Sequence, residues 1–547
     1  MSRGVWRRLA GAGGEIASCR SARYRSGCEA ISPRAGEPVA SHSRSILRPG
    51  LILVPGAFLG LFFAYPLATI AARGLSASAF DAELGRIALI TAGQALASTV
   101  LTMAVGLPAA YVLARRRVPA RRLIGAALTA PFVLPAVVVG AAYLALLPAQ
   151  AAETWWAIIA AHATFNVAIV TRTVGALWGR LDPRLGEAAR VLGASPARVA
   201  RELTLPLLAP ALAAAGSLVF LFSFTSFGVV QLLGGPTRVT VESEIYRATT
   251  QDLALDRAST IALAQLAGMA VVLALASSFA RRRAVALRRG APIERRPIGR
   301  AAAIALLGPA LVFCVLPLAM LAREAGGLAA YSSLTRTEAG FLEAPLASVV
   351  RSLEGAAVAG AIALVVGACA AYAVRGGVLE TALMLPLGTS AVTVGFGFLI
   401  AFDERPIDWR SAWLAVPLAQ AVVGIPFVVR SVLPVLRSID PGLREAAAVL
   451  GASPGRVWRE VDLPLSRRAL AVGLGFAFAV SLGEFGAASF LARPDAPTVP
   501  VAIARLLGLP GELAHRQAFA LATILAGLVL LVMLALELVR DPEVAEL

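Results

Sequence analysis

Twelve long apolar stretches run through this 547-residue chain, separated by short polar segments. Each stretch can cross the apolar part of a bilayer as a helix, which takes about 20 residues. A transmembrane β-barrel would instead need segments of about ten residues with alternating polarity, and the chain shows no such pattern. The pattern therefore predicts an all-α polytopic membrane protein of about 12 transmembrane helices. The predicted spans are 51–72, 88–114, 124–147, 155–178, 207–233, 259–280, 302–322, 348–374, 379–402, 412–435, 469–491 and 517–539.

The spans fall into two sets of six because the second half of the chain repeats the first. The 20-residue segments that begin at Glu187 and Glu445 share 15 identical positions, and the same shift of 258 residues places Phe227 on Phe485. An even number of helices gives both copies one orientation, so we expect parallel repeats related by an axis along the membrane normal. The predicted domains are an Arg-rich disordered tail (1–47), a first transmembrane repeat (48–280), a basic linker (281–300) and a second transmembrane repeat (301–541).

The arginines predict the orientation, because loops on the cytoplasmic side of a membrane keep an excess of positive charge. Arg-rich segments follow the second span (115–122) and the sixth span (281–300), and the duplicated segment follows the fourth. These segments share one side if both termini are cytoplasmic, which is the orientation we expect. The formal net charge of +17 then reflects membrane topology. Nucleic-acid binding is not expected, since it would need a basic face with elements that read bases.

Composition argues against several kinds of chemistry. The four cysteines are scattered without CxxC spacing, and the three histidines do not cluster with them, so neither a metal site nor a disulfide framework is predicted. The chain has no lysine, whereas a phosphate-binding P-loop needs one. If ATP drives this protein, a separate chain binds it.

The duplicated polar segment predicts two short helices joined by a sharp turn. In the first copy, Asp182 and Ser195 are suited to cap helices, and each precedes a proline suited to the first helical turn. Gly193 between them can adopt the left-handed conformation that ends a helix, and Pro206 marks the predicted start of the next span. Loops normally diverge faster than the elements they connect. The near-identity of the two copies therefore indicates that each faces the same partner surface, with a purely structural role as the alternative.

The segment resembles the cytoplasmic motif of the permease subunits of binding-protein-dependent ABC importers, which reads EAA, three residues, Gly, nine residues, a hydrophobic residue, any residue and Leu-Pro. The resemblance spans roughly residues 50–540 and implies two tandem six-helix permease units in a bacterial plasma membrane. It implies ATPase-coupling residues at Glu187, Ala188, Ala189, Gly193, Arg198, Pro206, Glu445, Ala446, Ala447, Gly451, Arg456 and Pro464. Arg201 and Arg459 are further candidate contacts, although topogenic charge explains any single arginine as well.

The same resemblance implies the partners and the cargo. A homodimeric ATPase on the cytoplasmic side would hold ATP and Mg²⁺, which leaves this chain without a cofactor or a catalytic residue of its own. An extracytoplasmic binding protein would deliver the solute. Fused double permeases of this length resemble importers of iron(III) and thiamine, and the sequence does not separate the two substrates, although we lean slightly to iron(III).

The candidate translocation path lies within the fifth predicted span of each repeat. Glu484 in the second repeat corresponds to Ser226 in the first, and an ionisable group inside a span is costly and commonly faces a cavity. We hypothesise that Glu484 is exposed to the path and favours a cationic substrate; a protonated Glu484 bonded to a neighbouring helix is the alternative. His162 and Asn166 are expected to form interhelical hydrogen bonds. The candidate path residues are Ser223, Ser226, Phe227, Gly228, Ser481, Glu484, Phe485 and Gly486.

Two parallel six-helix repeats also suit an ion-coupled secondary transporter, which is the competing interpretation. That class predicts charge pairs within the membrane and has no reason to duplicate a docking loop. Few ionisable residues interrupt the apolar spans, so the importer is favoured. A membrane enzyme is favoured less still, because no cluster of His, Asp and Glu converges at membrane depth.

Overall fold

The computed structural model describes residues 47–76, 81–282, 295–337, 343–374, 378–403 and 412–539. Nearly all of the expected tail, including Cys19 and Cys28, lies outside these ranges, as do residues 283–294 of the linker. Within them the protein is helical, as predicted, with one pair of two-residue strands.

In chain order the helices are α1 (Leu47–Leu59), α2 (Tyr65–Ser76), α3 (Ala82–Arg115), α4 (Arg121–Val133), α5 (Ala136–Leu146), α6 (Ala149–Ala152), α7 (Trp155–Trp178), α8 (Pro183–Val191), α9 (Pro196–Val199), α10 (Leu205–Phe224), α11 (Gly228–Leu233), α12 (Val241–Thr250), α13 (Leu255–Arg282), α14 (Arg300–Glu324), α15 (Leu328–Ser333), α16 (Ala347–Ala373), α17 (Val378–Met384), α18 (Ala391–Ala401), α19 (Ala415–Ser438), α20 (Pro441–Val449), α21 (Pro454–Val457), α22 (Leu463–Gly483), α23 (Gly486–Leu491), α24 (Val499–Leu507) and α25 (Glu512–Val539). Gly60–Ala64, Ala200–Thr204 and Trp458–Asp462 form π-helical turns, and Leu385–Gly388 forms a 3₁₀ turn. The strands are β1 (Arg116–Arg117) and β2 (Arg296–Pro297), paired in parallel.

Ten helical segments in the described residues are long and apolar enough to cross a membrane, and two bent pairs raise the number to twelve if each pair is one span. The predicted number of about 12 spans is confirmed on that count. However, the third and ninth spans are not straight helices. The pair α4–α5 is bent by 105°, and the helical segment 380–388 meets α18 at 96°.

Local chemistry explains both bends. Pro135 has no N–H and disfavours a helical conformation at Leu134, which is extended with ψ of 146°. In the second repeat Thr389 is extended, and the hydroxyl of Ser390 accepts from the N–H of Val392 at 3.1 Å to start a new helix. The apolar character of the chain continues through both breaks, so hydropathy does not reveal them.

The second short helix predicted in the duplicated segment is not separate from the following span. Pro196–Phe224 and Pro454–Gly483 are each one continuous helix. A π turn precedes each Leu-Pro pair, and the N–H of Leu205 bonds to the carbonyl of Ala200, five residues back. The chain therefore passes through Pro206 without a break, and the predicted boundary at that residue is wrong.

The first span of each repeat packs extensively on the other repeat, although α2 also packs on α13 of its own repeat. The helix α1–α2 packs on α16 and α18 of the second repeat, where Phe62 stacks on Phe398 with ring centroids 5.9 Å apart. Conversely, α14 of the second repeat packs on α3, α4 and α5 of the first, and the hydroxyl of Thr164 donates to the carbonyl of Phe313 at 3.0 Å. The repeats are units of sequence, and they are not separate units of packing.

Candidate functional site

The two copies of the duplicated segment, residues 182–206 and 440–464, have similar local structures, and we call them the coupling segments. Asp182 caps α8 by accepting from the N–H of Arg184 at 2.9 Å, and Asp440 caps α20 by accepting from Gly442 at the same distance. Each helix starts at the proline that follows its aspartate. The predicted aspartate caps are therefore confirmed in both copies. The hydroxyl of Ser195 also accepts from the N–H of Arg198 at 3.3 Å, whereas Ser453 forms no side-chain cap bond in the described structure.

Each of these helices ends at a left-handed glycine. Gly193 has φ of +87° and Gly451 has φ of +81°. The N–H of Ala194 donates to the carbonyl of Ala189 at 3.0 Å, and the corresponding bond in the second copy is also 3.0 Å. This is the six-to-one bond of a Schellman motif. A Cβ at either glycine would meet no atom within 4 Å, so the backbone conformation, and not crowding, is what favours glycine.

All twelve predicted coupling residues are exposed or half-exposed, and no residue of α8 or α20 is buried. The exposed surface includes two aliphatic pairs that the sequence analysis did not select. Val191 and Leu192 are 88% and 87% exposed, and Val449 and Leu450 have the same two values. Contiguous exposed apolar residues can mark a protein interaction site, and these two pairs are candidates for one. The sequence does contain a signal for these exposed pairs, because a Val-Leu pair directly precedes the glycine in both copies.

The two coupling segments share one exposed ion pair and differ in the environment of their acidic motif residues, Glu187 and Glu445. Arg198 pairs with Glu202 and Arg456 pairs with Glu460, both in exposed i,i+4 positions. Glu187 forms an ion pair with Arg296, which lies in β2 at the end of the linker. In the described residues no ion pair involves Glu445. The ion pair between Glu187 and Arg296 thus connects the first coupling segment to the linker.

The candidate path residues lie at two breaks that the apolar pattern conceals. In the first repeat α10 ends at Phe224 and α11 begins at Gly228, and in the second α22 ends at Gly483 and α23 begins at Gly486. The fifth and eleventh predicted spans are therefore each interrupted. The two breaks meet at the interface between the repeats.

Phe227 and Phe485 lie at this interface. Their rings are stacked with centroids 5.1 Å apart and an interplanar angle of 18°, and both residues are buried. Tyr246 of α12 packs on Phe227 at 5.2 Å, and Phe490 meets Tyr246 edge-on at 5.4 Å. We call these four residues the central aromatic cluster.

The serines of the candidate path are buried or half-buried. The amide nitrogen of Asn166 donates to the hydroxyl of Ser223 at 3.4 Å, and His162 contacts the hydroxyl of Ser98 at 3.4 Å. These contacts join α7 to α10 and to α3, so His162 and Asn166 form interhelical hydrogen bonds as predicted. Ser481 is buried and Ser226 is half-buried.

Glu484 has a local structural role in this conformation. It is 6% exposed, and its carboxylate accepts from the N–H groups of Ala487 at 2.7 Å and Ala488 at 3.0 Å. A carboxylate in this position satisfies the free donors at the start of α23 and complements the helix dipole. Both bonds go to its own segment, and neither goes to a neighbouring spanning helix.

A second buried carboxylate, Glu242, lies in α12 and is not among the residues predicted from the sequence. Glu242 is fully buried and accepts a hydrogen bond from the side-chain amide of Gln265 in α13. The hydroxyl of Ser390, at the bend of the ninth span, approaches it from the second repeat. By contrast, the equally buried Glu244 pairs with Arg247 at 2.8 Å and with Arg257 at 3.3 Å. In the sequence this segment mixes acidic and basic residues, as an ordinary polar loop does. The pattern therefore did not distinguish Glu242, which has no arginine partner in the described structure, from Glu244, which has two.

The fold and the duplicated segments agree with a match to known proteins. Residues 103–288 and 359–543, together more than half of the chain, match the family of binding-protein-dependent transport system inner membrane components. The chain belongs to this family. The predicted resemblance is confirmed, and the family matches the chain twice, once in each half.

Individual relatives are transport permeases. The thiamine transport system permease protein ThiP of Brucella abortus (strain 2308) is 26% identical over 461 residues, covering 79% of this chain and 84% of ThiP. The molybdenum permease ModB of Escherichia coli (strain K12) is 36% identical over 147 residues, and the sulfate permease CysT of Salmonella typhimurium is 35% identical over 144. The alignments cover 24% and 26% of this chain, and only 64% of ModB and 51% of CysT. These relatives agree with the family match, which places the chain among the inner membrane components of binding-protein-dependent transport systems.

Proposed function

We propose that this permease forms the translocation path of an ATP-driven importer and that its two coupling segments dock on a homodimeric ATPase at the cytoplasmic face. The observation that carries the proposal is the pair of matching segments, each with a capped helix, a left-handed glycine and a largely exposed Val-Leu pair. A homodimer offers two identical surfaces, and this chain offers two near-identical segments. Complete burial of a Val or Leu side chain contributes about 1.5–3 kcal/mol, so both pairs together provide a substantial contact.

We further propose that an extracytoplasmic binding protein delivers the solute and that the solute is thiamine or a close analogue. ThiP is described as a thiamine permease and aligns with 79% of this chain, through both repeats. ModB and CysT each align with about a quarter of it. The length of the ThiP alignment favours thiamine. The sequence alone had favoured iron(III) slightly.

Co-purification with the ATPase tests the docking surface. Val191→Ser/Leu192→Ser and Val449→Ser/Leu450→Ser should each weaken recovery of the ATPase, and the combination should abolish it. Leu328→Ser is the matched control, because Leu328 is 90% exposed but follows the seventh span, on the opposite side from the coupling segments. Full recovery of the ATPase with all four serines would overturn the docking proposal.

An uptake measurement separates the importer from the secondary transporter. In proteoliposomes with the ATPase and the binding protein, thiamine uptake should require ATP on the side of the membrane where the ATPase is bound. Uptake that persists without ATP and stops when an ion gradient is collapsed would favour the ion-coupled alternative.

A further inference from the structure

Glu242 differs from the other buried acids because neutral side chains are the only donors to its carboxylate in the described structure. Its side chain is fully buried, Oε1 accepts from the side-chain amide of Gln265, and the hydroxyl of Ser390 also approaches the carboxylate. Glu484 uses both oxygens as a helix cap, and Glu244 has two arginine partners. A buried carboxylate without a counter-charge is costly, so it is expected where it serves a function.

The helix α12 places Glu242 beside the central aromatic cluster. Glu242 and Tyr246 are four residues apart in α12, so their side chains are neighbours on one face of the helix. Tyr246 packs directly on Phe227, which stacks on Phe485 of the second repeat. The acid and the rings therefore adjoin at the contact between the two repeats. The Arg505 guanidinium, which is within electrostatic reach of Tyr246, is engaged by the carbonyl of Pro494 at 3.0 Å.

The arrangement is confined to the first repeat. A shift of 258 residues carries Glu242 to Pro500 and Tyr246 to Ala504, so α24 offers neither an acid nor a ring at these positions. A single carboxylate beside several ring faces suits a ligand with one positive charge on a flat or aromatic body. Ring faces attract cations, and the attraction strengthens away from water.

We propose that Glu242 and the central aromatic cluster form a transit site for a small organic cation, with the Glu242 carboxylate as its counter-charge. The inference rests on the proposed importer function and specifies its substrate class. In the present conformation the rings of Phe227 and Phe485 cover each other, and separation of the repeats would free their faces for the solute. Thiamine, with its quaternary thiazolium ring, belongs to this class. Sulfate, the solute named for CysT, is an anion that a buried carboxylate would repel.

Direct binding to the full-length permease tests the site without the partner subunits. Equilibrium dialysis of labelled thiamine against the permease in nanodiscs should show binding that sulfate does not compete with. Glu242→Gln keeps the shape and removes the charge, and it should weaken thiamine binding by about tenfold or more. Glu242→Asp should bind better than Glu242→Gln. The matched control is Glu512→Gln, whose side chain is 79% exposed, and it should bind like the wild type.

A second pair of variants covers the case in which Glu242→Gln fails to fold. Tyr246→Leu removes the ring and should weaken thiamine binding more than Tyr246→Phe, which retains it. The inference is overturned if folded Glu242→Gln binds thiamine as the wild type does, or if the wild type binds sulfate but not thiamine, or neither. These outcomes leave the ATPase co-purification of the wild type unaffected, so failure of the transit site is distinguishable from failure of the importer function.

Discussion

Phe227 and Phe485 occupy equivalent positions in the two repeats and stack on each other, with ring centroids 5.1 Å apart. A residue that contacts its own counterpart lies at the axis relating the two copies, as in a symmetric dimer interface. The pair therefore lies at the centre of the molecule, between the breaks that follow α10 and α22. Both rings are buried, and the glycine after each lets the chain approach the second arm of a bent span. A Cβ on Gly228 would lie 3.2 Å from the Cβ of Ala136.

Opening this contact should make the permease leaky. Phe227→Ala together with Phe485→Ala removes both rings, at a cost of about 3–5 kcal/mol per residue where the site does not collapse. We expect faster passive efflux of labelled thiamine from proteoliposomes without ATP. Phe220→Ala is the matched control, because Phe220 stacks on Phe224 within α10 and away from this contact. Equal efflux from the wild type and the double variant would show that the pair does not close the path.

Substitution of Glu484 separates a helix cap from a charge in the path. Glu484→Gln keeps an oxygen that can accept from Ala487, so the expected cost is about 1 kcal/mol of stability, with thiamine uptake retained. Glu484→Leu removes both acceptors and should be less stable. The two measurements are thermal unfolding in detergent and uptake per folded complex. Loss of uptake in a normally stable Glu484→Gln would instead support the hypothesis that its charge lines the path.

The coupling glycines should respond to backbone conformation and not to side-chain size. Gly193 and Gly451 have positive φ and open space around them, so asparagine, which tolerates this conformation, should preserve ATPase binding better than the smaller alanine. Valine should be the worst, because a β-branched residue is strained there. Recovery of the ATPase from the three variants at each position provides the measurement. A ranking of alanine above asparagine would contradict the interpretation.

Much of this architecture follows from the sequence, and the missing parts share physical causes. Burial in lipid requires long apolar segments, which made the twelve spans visible, and the repeated caps and glycines located the coupling segments. The bends at Pro135 and Ser390 were missed because both arms of each bent pair are apolar. The packing of each first span on the other repeat was missed because hydropathy identifies a lipid-soluble helix without identifying its neighbour. Glu242 was missed because the burial of a charged residue depends on tertiary packing.

The ion pair between Glu187 and Arg296 predicts a difference between the two coupling segments. The strand β2 holds the linker beside the loop after α3, and Arg296 reaches Glu187 from it. Both side chains are largely exposed, at 42% and 57%, so the pair contributes at most about 1 kcal/mol and should be screened by salt.

Arg296→Glu should therefore weaken ATPase recovery by about fivefold or less at low ionic strength, and hardly at all at high ionic strength. Adding Glu187→Arg to Arg296→Glu restores opposite charges and should return recovery toward the wild-type value, unless the ATPase itself binds Glu187. Glu445→Arg with Arg296→Glu is the control that cannot re-form the pair, because no ion pair involves Glu445 in the described residues. If the control restores recovery as well as the swapped pair does, the contact between the linker and the first coupling segment does not position that segment.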